Sequence, residues 1–127
     1  MDSNEIKSLI QSYLNAYNSF DVAGMLQLLH HDIEFRNISN GVVDVETKGI
    51  NEFREVAEQS KKLFSHRLQR IKNFSAHDDQ VEVEIHFEGT LATELPNGLK
   101  AGETIILKGI TLFKIKDKKL FRIEDYS

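Results

Sequence analysis

The sequence predicts an α+β domain in which three helices of the N-terminal half pack on one face of a bent, mainly antiparallel sheet. Three observations carry that prediction. Apolar residues recur at helical spacing up to Leu29 and again from Ile50, the period falls to two after Asp32, and it stays at two through the C-terminal half. The third is size: 127 residues with no internal repeat and no linker-like shift of composition leave room for one core, spanning residues 1–127.

The first helix is read from Ile6, Leu9, Ile10, Tyr13, Leu14 and Tyr17, which form one apolar stripe, with Asp2 or Ser3 as its N-cap. A bend at Ser19-Phe20 separates it from a short second helix capped by Asp21, in which Val22, Met25, Leu28 and Leu29 repeat. Ile33 and Phe35 then alternate with Glu34 and Arg36 as a half-buried strand does, and Asn40-Gly41 turns the chain into a return strand through Val43 and Val45. From Ile50 the helical spacing resumes with Phe53, Ala57 and either Ser60 or Lys61 inward, and this third helix is expected to end near Phe64. Strand runs follow around His66 to Phe74, then, after a turn at Asp78-Asp79, through Val81, Val83, Ile85 and Phe87, which alternate strictly with Glu82, Glu84, His86 and Glu88. Pro96-Asn97-Gly98 reverses the chain before Ile105 to Ile115 and Lys119 to Tyr126.

The strand Thr104 to Lys116 is apolar on both faces: Ile105, Leu107, Thr111 and Phe113 on one, Ile106, Ile110 and Leu112 on the other. An antiparallel sheet covered by helices on one side shows water a polar second face, so the second apolar face predicts a homodimer through it. A sheet curled over itself is the alternative.

Composition excludes several classes of function. With 40% hydrophobic and 28% charged residues the chain folds rather than staying disordered. The absence of cysteine rules out disulfides, thiolate metal sites, iron–sulfur clusters and a cysteine nucleophile. A net charge of -4 gives no basic surplus for nucleic acid. No apolar run has the length of a membrane span, and Met1 to Lys7 lacks the pattern of a signal peptide, so a cytoplasmic address is expected. The triplets Asn37-Ile38-Ser39 and Asn73-Phe74-Ser75 then carry no glycan meaning. The histidines offer no metal spacing: His30 and His31 are expected to be adjacent on a helix end and to point apart, His77 lies in a turn, and His86 sits on a charged strand face. No metal and no cofactor are expected. His66 is kept as a pocket residue, because period two places it with Leu68 on the face toward the helices. Arg36, Glu46 and Glu103 receive no role, and the basic run from Lys114 to Lys119 reads as a soluble hairpin tip.

The order helix, helix, strand, hairpin, helix and then three long strands resembles the nuclear transport factor 2-like superfamily, particularly its SnoaL-like and ketosteroid-isomerase-like members. The segments that carry the resemblance are Tyr13-Leu14-Asn15-Ala16-Tyr17 with Asp21, His31-Asp32-Ile33-Glu34-Phe35, Lys48-Gly49-Ile50, Phe87-Glu88-Gly89-Thr90 and Gly109 to Asp125. The resemblance implies a cystatin-like cone, a strongly curved sheet with an internal pocket, commonly in a homodimer packed through the convex face. It does not fix one chemistry.

Residue by residue, the ketosteroid isomerase pattern fits only at Tyr13. The position of its base falls on Asn37 and that of its oxyanion acid on or beside Gly109, and neither an amide nor a glycine can do that proton chemistry. If Gly109 faces the pocket, period two brings Leu107, Thr111 and Phe113 with it, and the neighbouring strand turns Phe121, Ile123 and Asp125 the same way. Asp125 is therefore the expected acid–base group, as the resemblance to SnoaL-like cyclases also implies, with Tyr13 beside it and Tyr17, Asn37, His66, Leu107, Gly109, Thr111, Phe113 and Ile123 lining the pocket. Tyr13 or Asn37 is expected to hydrogen-bond it. Two functions follow: a cofactor-independent isomerase, cyclase or dehydratase acting on a small hydrophobic carbonyl or hydroxyl compound, or a non-catalytic ligand-binding or protein-association domain of the same fold.

Overall fold

The computed structural model describes residues 1–78 and 80–127. Asp79, one half of the expected Asp78-Asp79 turn, lies outside the described residues. Helix α1 runs over Ser3–Asn18 because Asp2 accepts a hydrogen bond from the Glu5 amide while the Glu5 side chain returns to the Asp2 amide, a reciprocal capping box. It buries Ile6, Ile10, Tyr13 and Leu14, whereas Leu9 is only half-buried at the margin of the stripe. Phe20 stands at φ +60 in the link to α2 (Val22–Gln27), a left-handed conformation that a bulky residue holds only under constraint. The Asp21 carboxylate caps α2 by accepting from the Gly24 amide at 2.9 Å.

Strand β1 (Leu29–Ser39) starts earlier than the hydrophobic pattern implied, so His30 and His31 belong to the sheet and not to a helix end. Their rings stack at 4.3 Å instead of pointing apart, because a register irregularity between Leu29 and Glu34 breaks the strict alternation there. The hairpin to β2 (Val42–Lys48) turns on Asn40 and Gly41, both at positive φ. Helix α3 (Ile50–Lys61) buries Phe53 and Ala57 and stops before Phe64, since Phe64 is already the first residue of β3 and sets its ring edge-on to Phe87 at 5.6 Å. Strands β3 (Phe64–His77), β4 (Gln80–Leu91), β5 (Thr104–Lys116) and β6 (Lys119–Tyr126) complete the chain. His77 ends β3 and bonds Ser75 instead of sitting in the turn.

The six strands form one sheet in the order β2-β1-β6-β5-β4-β3. All pairs are antiparallel except β1 with β6, which run parallel and so place the last strand of the chain inside the sheet. One face carries Val81, Val83, Ile85, Phe113 and Ile123 into a core shared with the α1 stripe, with Met25 of α2 and with Phe53 of α3. The other face presents Glu82, Glu84, His86 and Glu88 of β4 beside Ile106 and Ile110 of β5, which are 74% and 43% exposed. No described helix is long and apolar enough to cross a membrane.

Candidate functional site

A cavity of about 540 Å³ lies between the inner face of the sheet and the helices. Helix α1 contributes Tyr13 and Tyr17, α3 contributes Phe53, Val56 and Ala57, and β1 contributes Phe35 and Asn37. Arg67 and Gln69 of β3, Phe113 of β5 and Asp125 of β6 complete the polar and sheet-side wall. A shallower depression of about 610 Å³ on the outer face is bounded by Glu82, Glu84, Lys108, Ile110 and Tyr126. The inner cavity is the candidate site, because it combines apolar walls with a few convergent polar groups.

Asp125 reaches the cavity through an unbroken stretch of register. Phe113 pairs with Ile123 and Thr111 with Asp125 across β5 and β6, and Asn37 pairs with Asp125 across β1 and β6, so all of these side chains share one face. Thr111 Oγ1 donates to Asp125 Oδ1 at 2.8 Å. Burial disfavours the charged carboxylate and pushes its pKa from the usual 3.8 to about 6, against the Thr111 hydrogen bond, which favours the ionised form. Asp125 is half-buried and lines the cavity.

Tyr13 is buried and stands edge-on to Phe113, ring centres 6.2 Å apart. Burial first, then the negative charge of Asp125, holds its phenol pKa well above the ordinary value, so it stays a proton-bearing hydrogen-bond donor. Burial also raises the phenol of Tyr17, with the positive charge of Arg67 acting against it.

Asn37 lines the cavity, yet its amide nitrogen donates to Asp44 Oδ2 at 3.1 Å and to Ser39 Oγ at 3.4 Å. Among the described residues neither Asn37 nor Tyr13 hydrogen-bonds Asp125; Thr111 is its partner, because the antiparallel neighbour presents its hydroxyl directly alongside.

Four other expected pocket residues sit elsewhere. His66 is exposed on the opposite face, because a register shift between Phe64 and His66 adds a residue to β3 and turns Arg67 inward in its place. Leu107 is 47% exposed and lies outside the wall, since β5 at that point extends past its last pairing with β6 at Ile110. At Gly109 the space for a side chain is filled by the Tyr126 carbonyl oxygen, 2.5 Å from where a Cβ would stand, and the residue borders the outer depression. Ile123 is 1% exposed and packs in the core behind the wall. Thr111, also buried, touches the site through its bond to Asp125.

The sequence pattern does not single out Arg67, which the fold carries into the site. It is 2% exposed, the largest fully buried side chain among the described residues. Its Nε donates to the Tyr17 carbonyl at 2.7 Å, which also accepts from the Phe20 amide at 3.1 Å, in the last turn of α1, where a cation is favoured. The guanidinium lies over the Tyr17 ring at 3.7 Å and the Phe20 ring at 4.6 Å. Asn18 ties the same helix end to β3 by donating to the Gln69 carbonyl and accepting from the Gln69 amide. Away from the cavity, His30, His31 and Asp32 bring their ligating atoms within 4.8 Å of one another. The buried His30 uses both ring nitrogens on the protein, Nδ1 accepting from the Asp32 amide and Nε2 meeting Asp117.

The architecture recurs in solved structures. A candidate polyketide cyclase from Xanthomonas campestris pv. campestris superposes with a TM-score of 0.83 at 23% identity, covering 98% of this chain and 90% of that one. A Catenulispora acidiphila protein with a ketosteroid isomerase-like fold, bound to trimethylamine, gives 0.76 at 12% identity over 94% and 84% of the two chains. An LEH-like epoxide hydrolase of M. tuberculosis gives 0.76 at 15% identity over 97% and 82%. At such identities these likenesses establish the fold alone. No curated protein matches the sequence. The cone-forming helices, the inner cavity and the late-strand carboxylate all fall within or directly beside residues 10–123, which match the SnoaL-like domain, and the chain belongs to that family.

Proposed function

We propose that the chain binds a small hydrophobic carbonyl or hydroxyl compound in the inner cavity and acts on it as a cofactor-independent isomerase, cyclase or dehydratase, with Asp125 moving the proton and Tyr13 polarising the substrate oxygen. The observation that carries this reading is one carboxylate set in an apolar wall with its pKa pushed to about 6, close enough to neutrality for both protonation states to be populated. In the acid form Asp125 gives its proton to a carbonyl or leaving hydroxyl; in the base form it takes one from a carbon next to a carbonyl. Tyr13, kept protonated, donates a hydrogen bond to the oxygen on which charge develops. Asn37 can orient a polar group but cannot exchange a proton with it. Neighbours of the same fold described as a candidate polyketide cyclase and an LEH-like epoxide hydrolase are in keeping with this reading.

The test is a carbon-detected NMR titration of the Asp125 carboxyl, paired with native mass spectrometry of the purified protein for a retained small molecule. A midpoint near 6 and a bound species lost in Asp125→Asn support the reading. A midpoint at or below ~3.9, the unperturbed value, removes the acid–base role and leaves the non-catalytic binding domain.

We also propose that the chain pairs with a second copy through the outer sheet face. Ile106, Ile110 and Tyr126 stand exposed there, 74%, 43% and 38% respectively, an apolar group that a lone sheet face does not need. Sedimentation as a dimer, split by Ile110→Glu, is the expected result, and a wild-type monomer at high concentration removes the proposal.

A further inference from the structure

The cavity contains a second charged group that the acid–base reading does not use. Arg67 is 2% exposed, no carboxylate among the described residues lies within salt-bridge distance of it, and what it meets is neutral: Nε donates to the Tyr17 carbonyl, and the guanidinium also meets the Tyr17 side chain. No acid therefore pairs with its terminal nitrogens, in a wall that is otherwise aromatic, aliphatic or neutral, apart from Asp125. A buried cation without an acid is expensive. Stacking on Tyr17 and Phe20 and contact with the carbonyl end of α1 offset part of that expense and hold the planar group still. Asp125 does not neutralise it: the two form no salt bridge, and neither charge shifts the titration of the other, although both act on Tyr13 and Tyr17.

Resting on the proposed use of the cavity, we infer that Arg67 makes it selective for apolar molecules that carry a carboxylate or an equivalent oxyanion, such as an enolate or phenolate, and that this anion is gripped by the terminal nitrogens of the guanidinium. A fixed fork of two N–H donors matches a carboxylate, and Arg is the side chain suited to that grip. The ligand is elongated. Its anionic end lies at the end of α1, and its reacting centre lies toward Asp125, several ångströms away across the inner face. This separation keeps the anion from quenching the proton chemistry while it fixes which atom of the ligand meets the carboxyl group. Arg67 is therefore a specificity-determining residue that recognises the substrate's charge.

The experiment compares 2-naphthoate, methyl 2-naphthoate and naphthalene by ligand-observed NMR titration against the wild-type chain, Arg67→Gln and Arg67→Lys, with circular dichroism checking that each variant is folded. Wild-type protein should bind the acid about 10- to 100-fold more tightly than the ester, the range expected of hydrogen bonds to a charged group. Arg67→Gln should erase that preference while leaving ester affinity in place, and Arg67→Lys, a charge without the fork, should keep only part of it. Equal or weaker binding of the acid by wild-type protein overturns the inference even if neither variant folds, and it leaves the acid–base reading standing, because the ester and hydrocarbon then still report a working cavity. A preference that survives in folded Arg67→Gln also overturns it. If none of the three compounds binds, the inference and the proposed use of the cavity fail together.

Discussion

Replacing Asp125 by Asn should stabilise the protein at neutral pH, and the amount follows from its surroundings. The carboxyl titrates near 6 in the folded chain against 3.8 as its ordinary value, because the cavity disfavours its charge. The folded state therefore holds the proton more tightly than the unfolded state. Its favourable contribution is complete below the unfolded value and is lost as pH rises toward 6. A difference of about two pKa units corresponds to about 3 kcal/mol once both states are ionised. Asn keeps the volume and still offers Thr111 an acceptor oxygen, but carries no charge at any pH. The variant should then exceed wild type by about 3 kcal/mol at about pH 7.5 and by only about 1 kcal/mol at about pH 4.5. Urea unfolding followed by circular dichroism at the two pH values measures both gaps, and their difference, about 2 kcal/mol, cancels any constant effect of the substitution. A gap that is flat, or that narrows as pH rises, would refute the placement of an ionised Asp125 in an apolar cavity.

Thr111→Val removes the 2.8 Å bond to Asp125 Oδ1 with little change of shape and should raise the Asp125 midpoint by about one to two units, read by the same carboxyl titration; an unchanged midpoint counts against that bond. Leu14→Ala, at a side chain with no exposed surface, should lower unfolding stability by about 2–5 kcal/mol, whereas Leu9→Ala at the half-buried margin should cost less than Leu14→Ala. Equal effects at the two positions, measured by urea unfolding, would mean that α1 is rotated from the orientation described.

Elements whose hydrophobic spacing stays regular are legible in the sequence itself. The stripe of α1, the caps at Asp2 and Asp21, the Asn40-Gly41 turn and the alternation from Val81 to Phe87 each translate one residue pattern into one backbone geometry. Asp125 could be placed on the inner face because β5 and β6 pair without a shift from Ile110 to Lys114. Strand β3 defeats the same reasoning twice: shifts between Phe64 and His66 and between Ile71 and Asn73 change which residues face inward, and nothing in the local composition marks them. Arg67 stays hidden for that reason, and also because an arginine among His66, Gln69 and Arg70 reads as a solvated strand face. A signal does exist. Gly89 stands opposite Arg67, and a Cβ there would come within 2.7 Å of the Phe64 and Phe87 rings. A glycine inside a strand run, set among aromatic residues, marks a close approach.

An acid–base carboxylate has to be held in place, and the topology does this for Asp125. The parallel pairing with β1 on one side and the antiparallel pairing with β5 on the other make β6 an interior strand. Ser127 is pinned as well: its amide donates to the Ile38 carbonyl at 3.0 Å, and the Asn40 amide donates to its carbonyl at 3.1 Å. Asp125 is thus held from both flanks and from beyond, while Thr111 fixes one of its oxygens. The Oδ2 atom has no hydrogen-bond partner among the described residues and is the oxygen that the proposed ligand would meet. Preorganisation of this kind fixes where the proton stands before anything binds, and a burial that weighs against folding at neutral pH is the same burial that brings the carboxyl into the working range of an acid–base group.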